Sequence, residues 1–231
     1  MSGLDGIVFD KDGTLFDFEA AWSGWTHGVI SDFASGNSAL AHRLGDAVGY
    51  DVPGRRFQPN SVAIAGTPRE IAEALSGHLP DRSVDEVLAH LDQTAALAPQ
   101  HPVVPLEPLF DTLRARNLRL GIATNDTEMP ARAHLTGAGV IAHFDFIAGS
   151  DSGFGGKPAP GQLLAFAEAL DLDPSRCAMV GDSPHDLDAG RAAGMACVAV
   201  LTGPGPADDL RPLADVVLPD IGHLRAWLDA R

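Results

Sequence analysis

From Pro108 onward, short apolar runs alternate with amphipathic ones, and this alternation limits the possible folds more than any other feature of the chain. Residues 118–123, 144–148, 177–180 and 197–201 are apolar runs of strand length. Between and before them, residues 109–116, 130–136, 162–170 and 187–193 place apolar side chains at helical spacing. Strand, helix and strand in sequence close into one sheet by right-handed crossovers, so the pattern predicts parallel strands with helices on both faces. Ile7, Val8 and Phe9 supply one more buried strand near the start. The expected fold class is therefore α/β, a doubly wound, Rossmann-like parallel sheet. A C-terminal helix around 224–228 should pack against it, after a polar loop at 202–209.

Residues 16–98 do not share the alternation. Apolar residues recur at helical spacing over 18–33 and 40–48, with a break at Gly36-Asn37 and a loop-like stretch over 45–59. Thr67-Pro68-Arg69-Glu70 has the form of a helix start, with a capping threonine, proline at the first position and glutamate completing a capping box. Ser83-Val84-Asp85-Glu86 repeats the signal. The expectation is an all-helical cap, residues 16–98, inserted into a core made of residues 1–15 and 99–231. Pro99, Pro102, Pro105 and Pro108 mark a stiff return to the core.

Composition narrows the function. The chain has 231 residues and a net charge of −15, which disfavours nucleic acid and anionic membrane as partners. No apolar run approaches the length of a membrane span, and residues 1–5 do not form a signal peptide. The two cysteines, Cys177 and Cys197, adjoin apolar runs and read as reduced, buried residues, with the cytoplasm as the expected compartment. No oligomeric state follows from the sequence. Of 16 basic residues only Lys11 and Lys157 are lysine. A chain that otherwise uses arginine would keep lysine where a compact point charge is needed.

In a doubly wound sheet, ligands bind beyond the carboxyl ends of the strands, near the switch in strand order. The unusual polar groups fall there. Asp10 and Asp12 follow the first strand two residues apart, so both can face one spot, and their repulsion calls for a cation, a shared proton or water. Thr124-Asn125-Asp126 follows the second strand, Lys157 follows the third, and Asp182 and Asp186 follow the fourth.

These motifs resemble those of the haloacid dehalogenase superfamily phosphatases, in order: Asp10-Lys11-Asp12-Gly13-Thr14, then Thr124, then Lys157, then Gly181-Asp182 with Asp186. Asp145-Phe146-Ile147 and Lys157-Pro158-Ala159-Pro160 look most like the phosphoglycolate-phosphatase branch. The resemblance covers residues 1–15 and about 100–205, and the insert sits where that family places its first-type cap. It implies a phosphomonoester hydrolase acting on a small phosphorylated metabolite. Asp10 would be the nucleophile that becomes an aspartyl phosphate, and Asp12 the general acid and then base. Mg²⁺ would be held by Asp10, the backbone carbonyl of Asp12 and Asp182, with Asp186 behind them. Thr124, Asn125 and Lys157 would bind the phosphoryl group.

Lys11 departs from the apolar residue more usual in the family and is shared with the cation-pumping ATPases. Asp12, and the lack of a membrane span, argue against a pump. Asp12 also separates this chain from the dehalogenases, whose halide leaves without a proton. A phosphomutase and a non-catalytic phosphometabolite-binding protein remain as alternatives. In the cap, Arg55 and Arg56 are the candidates for reading an anionic substrate. Trp22, Trp25 and Phe33 are expected in the cap core, and His185 is expected as a solvated neighbour of the acids, since imidazole suits Mg²⁺ poorly.

Overall fold

The structure, a computed structural model, describes residues 3–230. The chain begins with strand β1 (Gly6–Phe9) and then leaves the sheet for helices α1 (Phe18–Ala34) and α2 (Ser38–Val48). A short hairpin, β2 (Tyr50–Asp51) and β3 (Arg56–Phe57), and helices α3 (Val62–Ala65), α4 (Pro68–Ser76) and α5 (Val84–Ala95) complete the insert. The core resumes with α6 (Leu106–Arg114), β4 (Arg119–Ala123), α7 (Glu128–Gly137), β5 (Phe146–Ala148) and α8 (Gly161–Ala169). It closes with β6 (Cys177–Gly181), α9 (Pro184–Ala192), β7 (Ala196–Val200), α10 (Ala207–Leu210), β8 (Val216–Leu218) and α11 (Leu224–Asp229).

The large sheet has the order β5-β4-β1-β6-β7-β8, with every pairing parallel. Alternate residues of β1 serve opposite faces, as strand geometry requires. Ile7 and Phe9 join Phe110, Leu113, Leu120 and Leu224 on one side. Val8 joins Leu163, Phe166, Met179 and Ala189 on the other. Truncating a fully buried ring such as Phe166 to alanine would cost about 3–5 kcal/mol. The doubly wound α/β expectation therefore matches the structure in sheet type and in the covering of both faces.

Both expected capping boxes are present: Thr67 with Glu70, and Ser83 with Glu86. The insert is not wholly helical, because the stretch expected as loop contains the β2–β3 hairpin. Two-residue strands leave no periodic pattern in a sequence, and here Tyr50 and Phe57 meet edge to face across the hairpin with ring centroids 5.1 Å apart. For the same reason β8, only three residues long, and α10, within the expected polar loop, were absent from the sequence expectation. The insert has its own core, built by Val29, Ile30, Leu44, Tyr50, Leu75 and Leu91. Its two connections to the sheet run side by side: Asp17 N–H donates to His101 O at 2.8 Å and Val103 N–H to Leu15 O at 3.0 Å.

Candidate active site

The strand order explains the position of the acids. β1 lies between β4 and β6, and Phe9 is level with Ile122 on one side and Val180 on the other. Asp10, Thr124 and Asp182 therefore leave three adjacent strands at or near the same edge. Asp10 N–H still donates to Val180 O at 2.9 Å, which ties the first acid to the strand beside it.

Lys157 holds the centre. Its Nζ lies 2.6 Å from an oxygen of Asp10 and 2.6 Å from an oxygen of Asp186. Burial works against the ammonium, but the Asp10 and Asp186 charges outweigh it and keep Lys157 above its ordinary value. Burial pushes Asp10 up to about 7 although Lys157 pulls it down, with Asp186 and Asp12 adding repulsion. Asp182 is held well above the ordinary carboxylate range by burial and then by the Asp10 and Asp186 charges. Thr14 Oγ1 donates to Asp182 at 2.8 Å. Gly13, at φ +82, completes the turn, and any Cβ there would run into the Asp182 carboxylate.

Asp10, Asp182 and Asp186 bring oxygens within 4.8 Å of one another, all buried. Three buried acids against one lysine leave an excess of negative charge, and the donors are all oxygens, so the set fits a hard divalent cation such as Mg²⁺. Asp186 is already occupied: one oxygen meets Lys157, and the other accepts from Ser183 N–H and Oγ at 3.0 and 2.7 Å. That capping box at the start of α9 fixes Asp186 behind the other two acids.

Thr124 is buried, and its Oγ1 accepts from Asp126 N–H at 3.1 Å, which leaves the hydroxyl hydrogen to donate elsewhere. Asn125, expected as a phosphate contact, lines the cavity over the acids and also reaches across to the lysine loop. Its amide oxygen accepts from Lys157 N–H at 2.8 Å and its Nδ2 donates to Lys157 O at 3.0 Å. Asn125 therefore clamps the lysine loop to the loop after β4.

Asp12 faces a set of residues that sequence reasoning did not assemble. Lys11 Nζ lies 2.7 Å from the Asp12 carboxylate, 3.2 Å from Asp126 and 3.1 Å from His134 Nδ1. Trp22 Nε1 of helix α1 donates to Asp12 at 2.8 Å, and its ring lies 5.1 Å from Lys11 Nζ. His134 Nε2 lies 2.8 Å from Ala95 O, so the neutral ring donates there and accepts from Lys11. Burial and then the Lys11 charge push His134 down to about 4. Burial likewise raises Asp126 to about 6, against the pull of Lys11. Trp22 is thus both part of the cap core, as expected, and a contact to the second acid. The scarcity of lysine was the available signal for Lys11, since both lysines of the chain are buried against two carboxylates.

Arg55 and Arg56 do not reach the cavity over the acids. Arg56 is exposed and pairs with Asp51 at 3.3 Å across the hairpin, and Arg55 sits at its turn with φ 50. The hairpin directs Phe57 inward instead. His185 lines the cavity beside Asp186.

A sheet with this strand order, with acids just after β1 and β6 and a lysine bridging Asp10 to Asp186 in the first turn of α9, forms a charged centre of the doubly wound class. The family model for haloacid dehalogenase-like hydrolase matches residues 4–194, and the chain belongs to that family. It is 38% identical to a phosphoglycolate phosphatase of Rhodospirillum rubrum, across 96% of this chain and 90% of that one. Among solved structures it is similar to a HAD phosphatase from Thermococcus onnurineus, with a TM-score of 0.71 and 21% identity over 97% of this chain and 98% of the other. A β-phosphoglucomutase from Clostridium difficile has a TM-score of 0.68 at 18% identity, over 98% of each chain. At such identities the structural likeness concerns the fold alone.

Proposed function

We propose that this chain, an enzyme of the phosphatase group of its family, hydrolyses the phosphomonoester of a small metabolite through an aspartyl phosphate on Asp10. The observation that carries the proposal is the convergence of Asp10, Thr124 and Asp182 at one edge of three adjacent strands, with Lys157 of the loop after β5 bridging Asp10 and Asp186. The Asp10 carboxylate attacks phosphorus and the ester P–O bond breaks. Asp12 gives its proton to the departing alkoxide, then takes one from the water that attacks the acyl phosphate and frees Asp10 and inorganic phosphate. The Thr124 hydroxyl and Lys157 Nζ bind the non-bridging oxygens, so that two donors already in place meet the growing charge. Asn125 positions Lys157, and Lys11 with Trp22 positions Asp12.

Mg²⁺ would be held by Asp10, Asp182 and the Asp12 carbonyl, with Asp186 behind, and would neutralise negative charge shared by the acids and the phosphoryl group. The cap is residues 16–98 in this reading, the setting is cytoplasmic, and phosphoglycolate is the first substrate to assay on the strength of the relative's name. Release of inorganic phosphate, with and without EDTA, tests the proposal. Full turnover in excess EDTA would remove the metal, and isomerised sugar phosphate without phosphate release would favour a mutase.

A further inference from the structure

Between the acids and the insert lies a cavity of about 310 Å³. That is about twice the ~150 Å³ that accommodates benzene in an apolar cavity. On the cap side its wall is Phe18, Trp22, Trp25, Phe57, Ile64 and Ile71, with prolines of the core loop 204–206 opposite. Trp22 and Trp25 meet edge to face at 5.0 Å, and Phe18 and Phe57 lie 5.1 Å apart, so the wall is a built aromatic surface. Its neutral polar group is Thr26, one helical turn beyond Trp22, whose buried hydroxyl has no hydrogen-bond partner among the described residues.

The charges around the cavity are unbalanced. Seven aspartates line it, two of them (Asp12 and Asp126) paired with Lys11 behind the wall, and among the described residues Lys157 is the one lysine or arginine that itself lines it. That cation is already shared between Asp10 and Asp186. His185 belongs to the core side, next to Asp186, and not to the cap wall. A phosphocarboxylate such as phosphoglycolate would carry a second anion into this space. It would meet aromatic carbon and repelling carboxylates, with no counter-ion to replace its water.

We infer that this site takes the phosphate monoester of an uncharged, predominantly apolar alcohol of about aromatic-ring size, and discriminates against phosphocarboxylates. The inference rests on the phosphomonoesterase reading above. The aromatic wall binds the alcohol by burial, Thr26 accepts or donates one neutral hydrogen bond, and the phosphoryl group lies over Asp10.

The test compares kcat/KM of the full chain with Mg²⁺ for benzyl phosphate and phosphoglycolate, both esters of alkyl alcohols, with p-nitrophenyl phosphate as a general phosphatase probe. Benzyl phosphate should be preferred by ~10-fold or more. Ile64→Arg, which puts a cation on the wall, should narrow or invert that ratio; Ile71→Lys repeats the placement should the first variant not fold. Preference for phosphoglycolate by the unmodified chain, or a ratio unmoved by either folded variant, would overturn the inference and leave the phosphatase reading standing. A folded chain inert toward all three substrates would end both.

Discussion

Lys157→Arg tests whether the site needs a compact cation, because the charge is conserved and only its shape changes. Lys157 Nζ contacts Asp10 and Asp186 at 2.6 Å each, and its side chain is 3% exposed. One ammonium can donate to two acids and a phosphoryl oxygen from a single point, whereas a guanidinium lies flat along one carboxylate and occupies a wider slot. In a closed site the longer side chain must displace Asp10 or surrender one contact. Losing a charge-assisted hydrogen bond costs about 1.5–3 kcal/mol, and leaving its acid buried without a partner adds to that. A loss of ~2.7 kcal/mol corresponds to ~100-fold in rate, so kcat/KM should fall at least ~100-fold. Steady-state kinetics on p-nitrophenyl phosphate at saturating Mg²⁺ would measure this, with thermal denaturation showing that the variant is folded. A folded variant within ~3-fold of the parent enzyme, less than 1 kcal/mol, would refute the reasoning and make the lysine a compositional accident.

Asp10→Asn, nearly isosteric, should leave the fold intact and abolish both turnover and acid-trapped phosphoenzyme; more than a trace of either would move the nucleophile elsewhere. The pH dependence of metal-free stability follows from Asp10, whose carboxyl is raised from 3.8 to about 7 by burial. The folded protein then holds a proton that the unfolded chain has lost, and Asp126, raised to about 6, does the same. Together they outweigh the opposite contribution of His134, lowered from 6.5 to about 4, so metal-free stability should fall as pH rises from about 4 to about 7. A cation that pairs with the ionised acids should offset this, and the Mg²⁺-induced rise in Tm should be larger at about pH 7.5 than at about pH 5. The opposite order in thermal melts would place the metal on other groups. Lys11→Met leaves Asp126 and Asp12 without their buried cation and should destabilise the fold by ~3 kcal/mol in urea denaturation. A loss below ~1 kcal/mol would mean that those acids are solvated. Arg55→Ala and Arg56→Ala should each change KM by less than ~3-fold for any substrate, since neither lines the cavity. A larger rise confined to anionic substrates would return them to the site.

Several features were legible in the residues alone because their causes are local. Alternating periodicity identified the parallel sheet, and Thr67-x-x-Glu70 and Ser83-x-x-Glu86 marked two helix starts that the structure contains as reciprocal caps. The order of Asp10, Thr124 and Asp182 along the chain, each just after a strand, was enough to place these three at one sheet edge, whereas Lys157 reaches it from the long loop between β5 and α8. The β2–β3 hairpin and β8 were not legible, because strands of two or three residues exist through their pairing partners and not through their own pattern. Nor could the sequence place Asn125 on the Lys157 backbone, or Lys11 against His134, 123 residues away. Such contacts depend on which loops the strand order sets side by side. The same holds for the aromatic wall. Helical spacing identified Trp22 and Trp25 as core residues, but packing of the insert over the sheet edge turned one side of that core toward the acids and left Arg55 and Arg56 outside.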